Sequence, residues 1–334
     1  MFLRGLALAL VVSAVACVAN AGPIFDRTEA RDTVADLAAK LEAGYLDPAT
    51  GARYAAALRQ KMTAGGYDGF TSAQAFADAV TSDLKAVHPD GHLALKLTGE
   101  AAQAQGAPPP RIVPFDAPRW VAPGIALATW RLFMGEDDSM AAARGMVKDF
   151  AQARAVIFDM REHRGGGLDE QDVFFAHLFA SPVHLVDMRI RQGRGDAMSS
   201  MFDATPSLRR QPAASGVTTW QHWSAPAVLA SPWSAVPVYV LTSRKTASAA
   251  EHFTFALKNT GRATIVGEVT RGAGNFGGVE PIGKRFQAFI AVGQTVDPKT
   301  GRGWEQVGVT PDIAVPADQA LSRALQDLAV RGGN

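Results

Sequence analysis

The stretch VPVYVLTSRKTASAAEHFTFALKN, residues 236–259, decides the fold. It opens with a run of β-branched and apolar residues at 236–241, breaks at a Thr/Ser/Arg/Lys turn, and resumes at Ala249 with the spacing of an amphipathic helix. A buried-type strand running straight into a helix is the elementary step of an α/β fold. The turn leaves Ser248 at the start of that helix. Ser248 can serve simply as an N-cap. Equally, a hydroxyl there lies beside unpaired backbone N–H groups and the positive end of the helix dipole, an arrangement suited to a developing oxyanion with the Ala249 N–H as first donor.

A second strand-and-turn, RAVIFDMREHRGGG at 154–167, has the same form and ends in three consecutive glycines. Glycines beside a strand end let backbone N–H groups approach a ligand with no side chain in the way, so Gly165 or Gly166 can supply a second oxyanion donor; a plain flexible turn before a helix at Asp169 is the alternative.

Working outward, the periodicity predicts strands at 125–130, 155–158, 183–190, 238–241, 264–266 and 286–292, and helices at 140–150, 169–179, 249–259 and 317–328. Their alternation favours an α/β core over a β-sandwich. Residues 28–87 are helical in pattern: Val34, Leu37, Leu41 and Tyr45 form one stripe and Phe76, Val80, Leu84 and Val87 another, with a capping-box spacing at Thr71 and Gln74. The segment GEAAQAQGAPPP, 99–110, lacks periodicity and reads as a linker, whereas 192–226 is polar and interrupted, resists assignment and is expected to include a long surface loop. The expected organisation is a leader at 1–21, a helical domain at 22–98, a linker at 99–111 and the α/β core at 112–334.

The leader has one charge, Arg4, then an apolar run to Val18 and a small-residue Ala19-Asn20-Ala21 before Gly22, the order of a secretory signal peptide. A lipoprotein acylated on Cys17 is the alternative, against which stands the missing leucine three residues upstream. The mature chain is thus expected outside the cytoplasm, periplasmic or extracellular. Cys17 is the only cysteine, so removal of the leader excludes a thiol nucleophile, a disulfide framework and a cysteine metal site. Loss of Arg4 brings Lys+Arg from 33 to 32, equal to the 32 Asp+Glu, and with no long basic run a nucleic-acid partner is not expected. No later segment has the apolar length of a membrane span.

Four phrases in order resemble one family: T-S-x-x-T-x-S-A-A-E at 242–251, D-x-R-x-x-x-G-G at 159–166, GRATIVGE at 261–268 and WEQVGVTPDI at 304–313. They are similar to the tail-specific (C-terminal processing) serine proteases, within the branch of the tricorn core and the repeats of interphotoreceptor retinoid-binding protein. HPDGHLAL at 88–95 extends the likeness into the N-terminal helices. The resemblance implies a crotonase-like β/β/α core with a small N-terminal helical domain, and hydrolysis of peptide or protein substrates without cofactor or metal. It implies Ser248 as nucleophile, His92 as general base, Glu305 as the carboxylate completing the charge network, and Ala249 with Gly165 or Gly166 as oxyanion hole. A serine hydroxyl needs such a base, and the base an orienting acceptor.

Three positions depart from the pattern. The lysine base that many members carry 25 residues after the serine would fall on Ala273. Gly91 stands where tricorn-like members have a serine bridging histidine to glutamate, and His163 where asparagine is usual. No room is left for a PDZ domain between His92 and the core, so recognition of substrate tails is not implied. The remaining motifs are decoys. Ser82-x-x-Lys85 falls near a helix end, Lys299-Thr300-Gly301 lies in a turn, and Gly272-x-Gly274-x-x-Gly277 leads into a strand with no helix to receive a pyrophosphate. His177, His184, His222 and His252 read as ordinary surface or core residues. A non-catalytic binding module for an apolar ligand is the rival from another class.

Overall fold

The computed structural model describes residues 25–99, 112–193, 196–225 and 231–332; the leader, Cys17 and nearly all of the predicted linker lie outside the described residues. Helices α1 (Arg27–Gly44), α2 (Pro48–Thr63) and α3 (Ala73–Val87) begin at Asp26, Asp47 and Ser72, each of which accepts a backbone N–H three residues on. The third cap is Ser72, one residue after the predicted Thr71. A short β1 (Leu95–Leu97) follows, then the hairpin β2 (Arg119–Ala122) and β3 (Ile125–Thr129). Next come α4 (Asp137–Asp149), β4 (Ala155–Asp159), α5 (Asp169–Leu178) and β5 (His184–Arg191).

The predicted surface loop is structured instead: α6 (Asp196–Ala204), β6 (Leu208–Arg210) and β7 (Val217–Trp223) occupy most of it. Strand β7 does alternate, but the residues it buries are Thr218, Trp220 and His222, so the period-2 signal is carried by polar and aromatic side chains and not by aliphatic ones. The chain continues with β8 (Val238–Thr242), α7 (Ala249–Asn259), β9 (Thr264–Gly267), β10 (Asn275–Ile282), β11 (Phe286–Val296), β12 (Ile313–Ala314) and α8 (Ala320–Gly332).

Two six-stranded sheets result. One is antiparallel, in the order β1-β11-β5-β7-β6 with β10 also paired to β11; the other runs β12-β9-β8-β4-β3-β2 and is parallel except for the β2–β3 hairpin. In the parallel sheet both faces are covered, which is why β4 and β8 are buried at every position. Val156, Phe158, Val238 and Val240 face a central core with α5 and α7, whereas Ile157, Tyr239 and Leu241 face Ala320 and Ala324 of α8. Phe253 of α7 sits among Phe158, Phe174 and Phe175, with ring centroids 5.1, 6.2 and 5.2 Å away. On the far side, Phe286, Ala288 and Ile290 of β11 share one core with Leu37, Phe76 and Val80 of the N-terminal helices. The expected β/β/α core with a helical N-terminal region is thus present, and the helices close against the antiparallel sheet instead of burying their faces alone. This docking carries the segment after α3 onto the core and brings residues 88–92 against Ala273, Phe289 and Glu305.

Candidate active site

Strand β8 ends at Thr242, whose hydroxyl donates to the Glu268 carbonyl. The turn that follows is bolted to the glycine-bearing segment: Thr246 Oγ1 donates to the Met160 carbonyl at 2.8 Å, and the Ala247 N–H to the His163 carbonyl at 3.0 Å. Ser248 then takes φ +57°, ψ −120°, a conformation that L residues rarely adopt and that costs about 1–3 kcal/mol. Its N–H donates to Glu251 Oε2 at 2.9 Å. Glu251 is fully buried and accepts three further bonds, from Thr270 Oγ1 (2.6 Å), Gly272 N (2.6 Å) and Ala273 N (2.8 Å). Burial pushes this carboxyl up, and these donors oppose the shift.

The three glycines reach the same place. A side chain on Gly165, at φ +115°, would put Cβ 2.9 Å from Ser248 Cβ and 3.3 Å from its Oγ; one on Gly166, at φ +130°, would strike the Phe133 carbonyl at 1.9 Å. The Gly165 N–H donates to His163 Nδ1 at 3.1 Å and the Gly167 N–H to the Phe133 carbonyl at 2.8 Å. The Gly166 N–H between them has no acceptor among the described residues, nor has that of Ala249 in the first turn of α7. His163, where asparagine was expected, holds the loop as an acceptor. Its ring is buried, Nε2 has no partner among the described residues, and burial lowers its pKa to about 3.

His92 is linked to this cluster through Phe289: its ring stacks on Phe289 at 4.5 Å, and Phe289 lines a cavity together with Ser248 and Ala249, while no hydrogen bond joins His92 to Ser248 among the described residues. Burial is the main influence lowering the His92 pKa; Arg271 and Lys96 act in the same direction, and Asp90 opposes them. Nδ1 is buried without a partner among the described residues. Asp90 is spent elsewhere, on the N–H groups of His92 and Leu93, the Tyr45 hydroxyl and the Asn275 amide. Glu305 touches backbone and not imidazole: Oε1 accepts from Gly91 N at 2.9 Å, and Oε2 from Gly274 N at 2.6 Å and Asn275 N at 2.8 Å. Gly91 packs so closely that a Cβ would come within 2.7 Å of Ala273 Cα, so the position admits no bridging serine. The Gly272-x-Gly274-x-x-Gly277 run serves the same packing, since side chains on Gly272 and Gly274 would strike the backbone of Gln306 and Glu305.

The cavity measures about 280 Å³ and is walled largely by Met188, Met198, Met201, Phe202, Phe276 and Phe289. His252 also lines it. One turn beyond Ser248, this histidine was read as an ordinary residue, yet its Nε2 meets His222 Nδ1 at 2.9 Å, His222 Nε2 meets Asp172 Oδ1 at 2.7 Å, and Asp172 Oδ2 accepts from Ser207 Oγ at 2.6 Å. No motif announces this chain, because its members lie on α7, β7 and α5 and meet only in the fold.

The family model of Peptidase family S41 matches residues 125–315. Three solved structures share the fold. A protein of Parabacteroides merdae described as a candidate peptidase superposes with a TM-score of 0.62 at 16% identity over 90% of this chain and 96% of its own. A lipoprotein from Streptococcus agalactiae gives 0.58 at 14% over 98% and 100%. The photosystem II D1 C-terminal processing protease gives 0.53 at 15% over 89% and 97%.

Two outcomes follow from the strained serine and the buried histidine. Glycine relieves a positive φ where alanine does not, so Ser248→Gly is expected to be about 1 kcal/mol more stable than Ser248→Ala in urea unfolding; equal stabilities would show that the backbone holds no strain there. His163 is neutral in the folded protein down to about pH 3 but takes a proton near pH 6.5 when unfolded. Between these values the unfolded chain binds more protons, so stability falls as pH drops through the window, by up to about 1.4 kcal/mol per unit from this group. The loss should be shallower in His163→Asn, measured by unfolding at pH 7, 5.5 and 4; identical slopes would clear His163 of the effect.

Proposed function

The chain belongs to Peptidase family S41 and is a serine-type peptidase, and from that membership we propose that Ser248 is its nucleophile, His92 its general base and the N–H groups of Ala249 and Gly166 its oxyanion hole. The observation that carries this reading is the convergence at Ser248. A strained serine opens a helix, a glycine Cα faces its hydroxyl, and two residues with uncommitted N–H groups line the same cavity. Gly165 lends space instead of a donor, because its N–H is held by His163.

In this mechanism the Ser248 oxygen attacks the peptide carbonyl carbon as His92 takes its proton. The carbonyl oxygen, now carrying the charge, accepts from Ala249 and Gly166; losing one such donor typically costs about 3–4 kcal/mol in the transition state. Collapse expels the amine, which receives the proton from His92, and water then clears the acyl-enzyme by the same steps. Glu305 acts by holding Gly91, Gly274 and Asn275, and through them the backbone from which the imidazole projects. Export belongs to the same proposal and is supported by the charge, apolar run and Ala-x-Ala order of residues 1–21.

A fluorophosphonate should label the wild-type protein and not Ser248→Ala; absence of labelling in both would favour the binding module. Because burial holds His92 below the ordinary histidine value of about 6.5, kcat/KM should rise with pH through an inflection below that value. His92→Ala should lose about two to four orders of magnitude. Glu305→Gln should lose less, and His88→Ala, at the exposed edge beside Gln306, little. Near-normal turnover by His92→Ala would remove the histidine from the mechanism.

A further inference from the structure

The cavity beside Ser248 is walled mostly by apolar side chains, with Asp169, Thr205, Asn275, Thr295 and His252 among its polar members. One acceptor among them follows from the buried chain behind His252. A carboxylate only accepts, so the bond at Asp172 places a hydrogen on His222 Nε2. In a neutral ring the other nitrogen then accepts, so His222 Nδ1 receives the Nε2–H of His252. That leaves His252 Nδ1 as a bare acceptor on a residue only 4% exposed that lines the cavity. Burial holds this imidazole well below its ordinary pKa, in keeping with a neutral ring.

Trp304, 2% exposed, packs its ring edge-on to that of His252 at 6.2 Å in the same lining, and its Nε1–H is buried too deeply to meet an occupant. A bare acceptor in a wall rich in methionine and phenylalanine matches an aromatic body tipped with a hydroxyl that donates to it. Because Ser248, Ala249 and Gly166 border the same cavity, the side chain entering it belongs to the residue whose carbonyl is attacked.

We propose that this pocket selects tyrosine at that position, its hydroxyl donating to His252 Nδ1, with Asp172 and His222 as positioning residues that fix the His252 tautomer. The inference deepens the assignment of Ser248 as nucleophile and rests on it. Phenylalanine fills the same space but leaves the His252 acceptor unpaired, and sites built for a hydroxyl discriminate against its absence.

The test compares two peptides that differ only in tyrosine or phenylalanine before the cleaved bond, at pH 8, above the ordinary histidine range. Wild type should favour tyrosine in kcat/KM by about tenfold or more, the equivalent of one net hydrogen bond. His252→Phe removes the acceptor. The tautomer set by Asp172 and His222 is read separately, by 15N NMR of the imidazoles at pH 8, which should show His252 with its hydrogen on Nε2 and Nδ1 bare. In His252→Phe the ratio should fall to about one, whatever happens to absolute turnover, and a merely structural role would leave the ratio unmoved. A wild-type ratio near one, a tenfold ratio surviving His252→Phe in a folded protein, or a hydrogen on His252 Nδ1 overturns the proposal. If wild type neither cleaves the peptides nor takes the fluorophosphonate, the nucleophile assignment has failed on its own account. Binding of the two peptides to Ser248→Ala then decides the pocket's preference, equal affinities ending it.

Discussion

The carboxylate of Glu251 is the point on which the site hangs. Enclosed by protein, it accepts from the backbone of Ser248, Gly272 and Ala273 and from the Thr270 hydroxyl, so one side chain ties the start of α7 to the loop between β9 and β10. A buried carboxylate is tolerated only when its lone pairs are met, and here four donors from two segments meet them. Remove any one and the remaining charge is worse off, so the loops are held to each other as much as to the glutamate. The strained Ser248 backbone persists because it is one of those donors.

Glu305 repeats the device from the other side. It collects Gly91, Gly274 and Asn275, and the segment 272–275 is thereby gripped between two glutamates, Gly272 and Ala273 by one and Gly274 and Asn275 by the other. Such contacts require backbones nearly touching, and a Cβ at Gly91, Gly272 or Gly274 would approach its neighbours to 2.7–2.9 Å. The glycine run that looks like a nucleotide fingerprint in one dimension is a steric requirement in three.

Much of this was legible in the sequence where the signal is local. Every predicted strand of the parallel sheet lies within about a residue of its observed limits, because strands buried on both faces read as unbroken apolar runs. Helix α7 matches at both ends. What escaped is what the fold assembles from distant parts. Strand β7 hides its inward face behind Thr218, Trp220 and His222. The Asp172, His222, His252 chain has no spacing to detect, and the way Glu305 reaches His92 could not be read from Gly91 alone: the glutamate takes the backbone, and the missing serine leaves no gap to fill.

The grip on residues 272–275 also bears on when the protein becomes competent. Its donors and acceptors come from position 91, from 248–251 and from 305, so the contact is closed by the member farthest along the chain, Glu305. During synthesis the serine turn, the glycine loop and the N-terminal helices all emerge before Glu305 does. A growing polypeptide that has not reached position 305 therefore holds the parts without the clamp, and the architecture itself defers the finished site until Glu305 has been added.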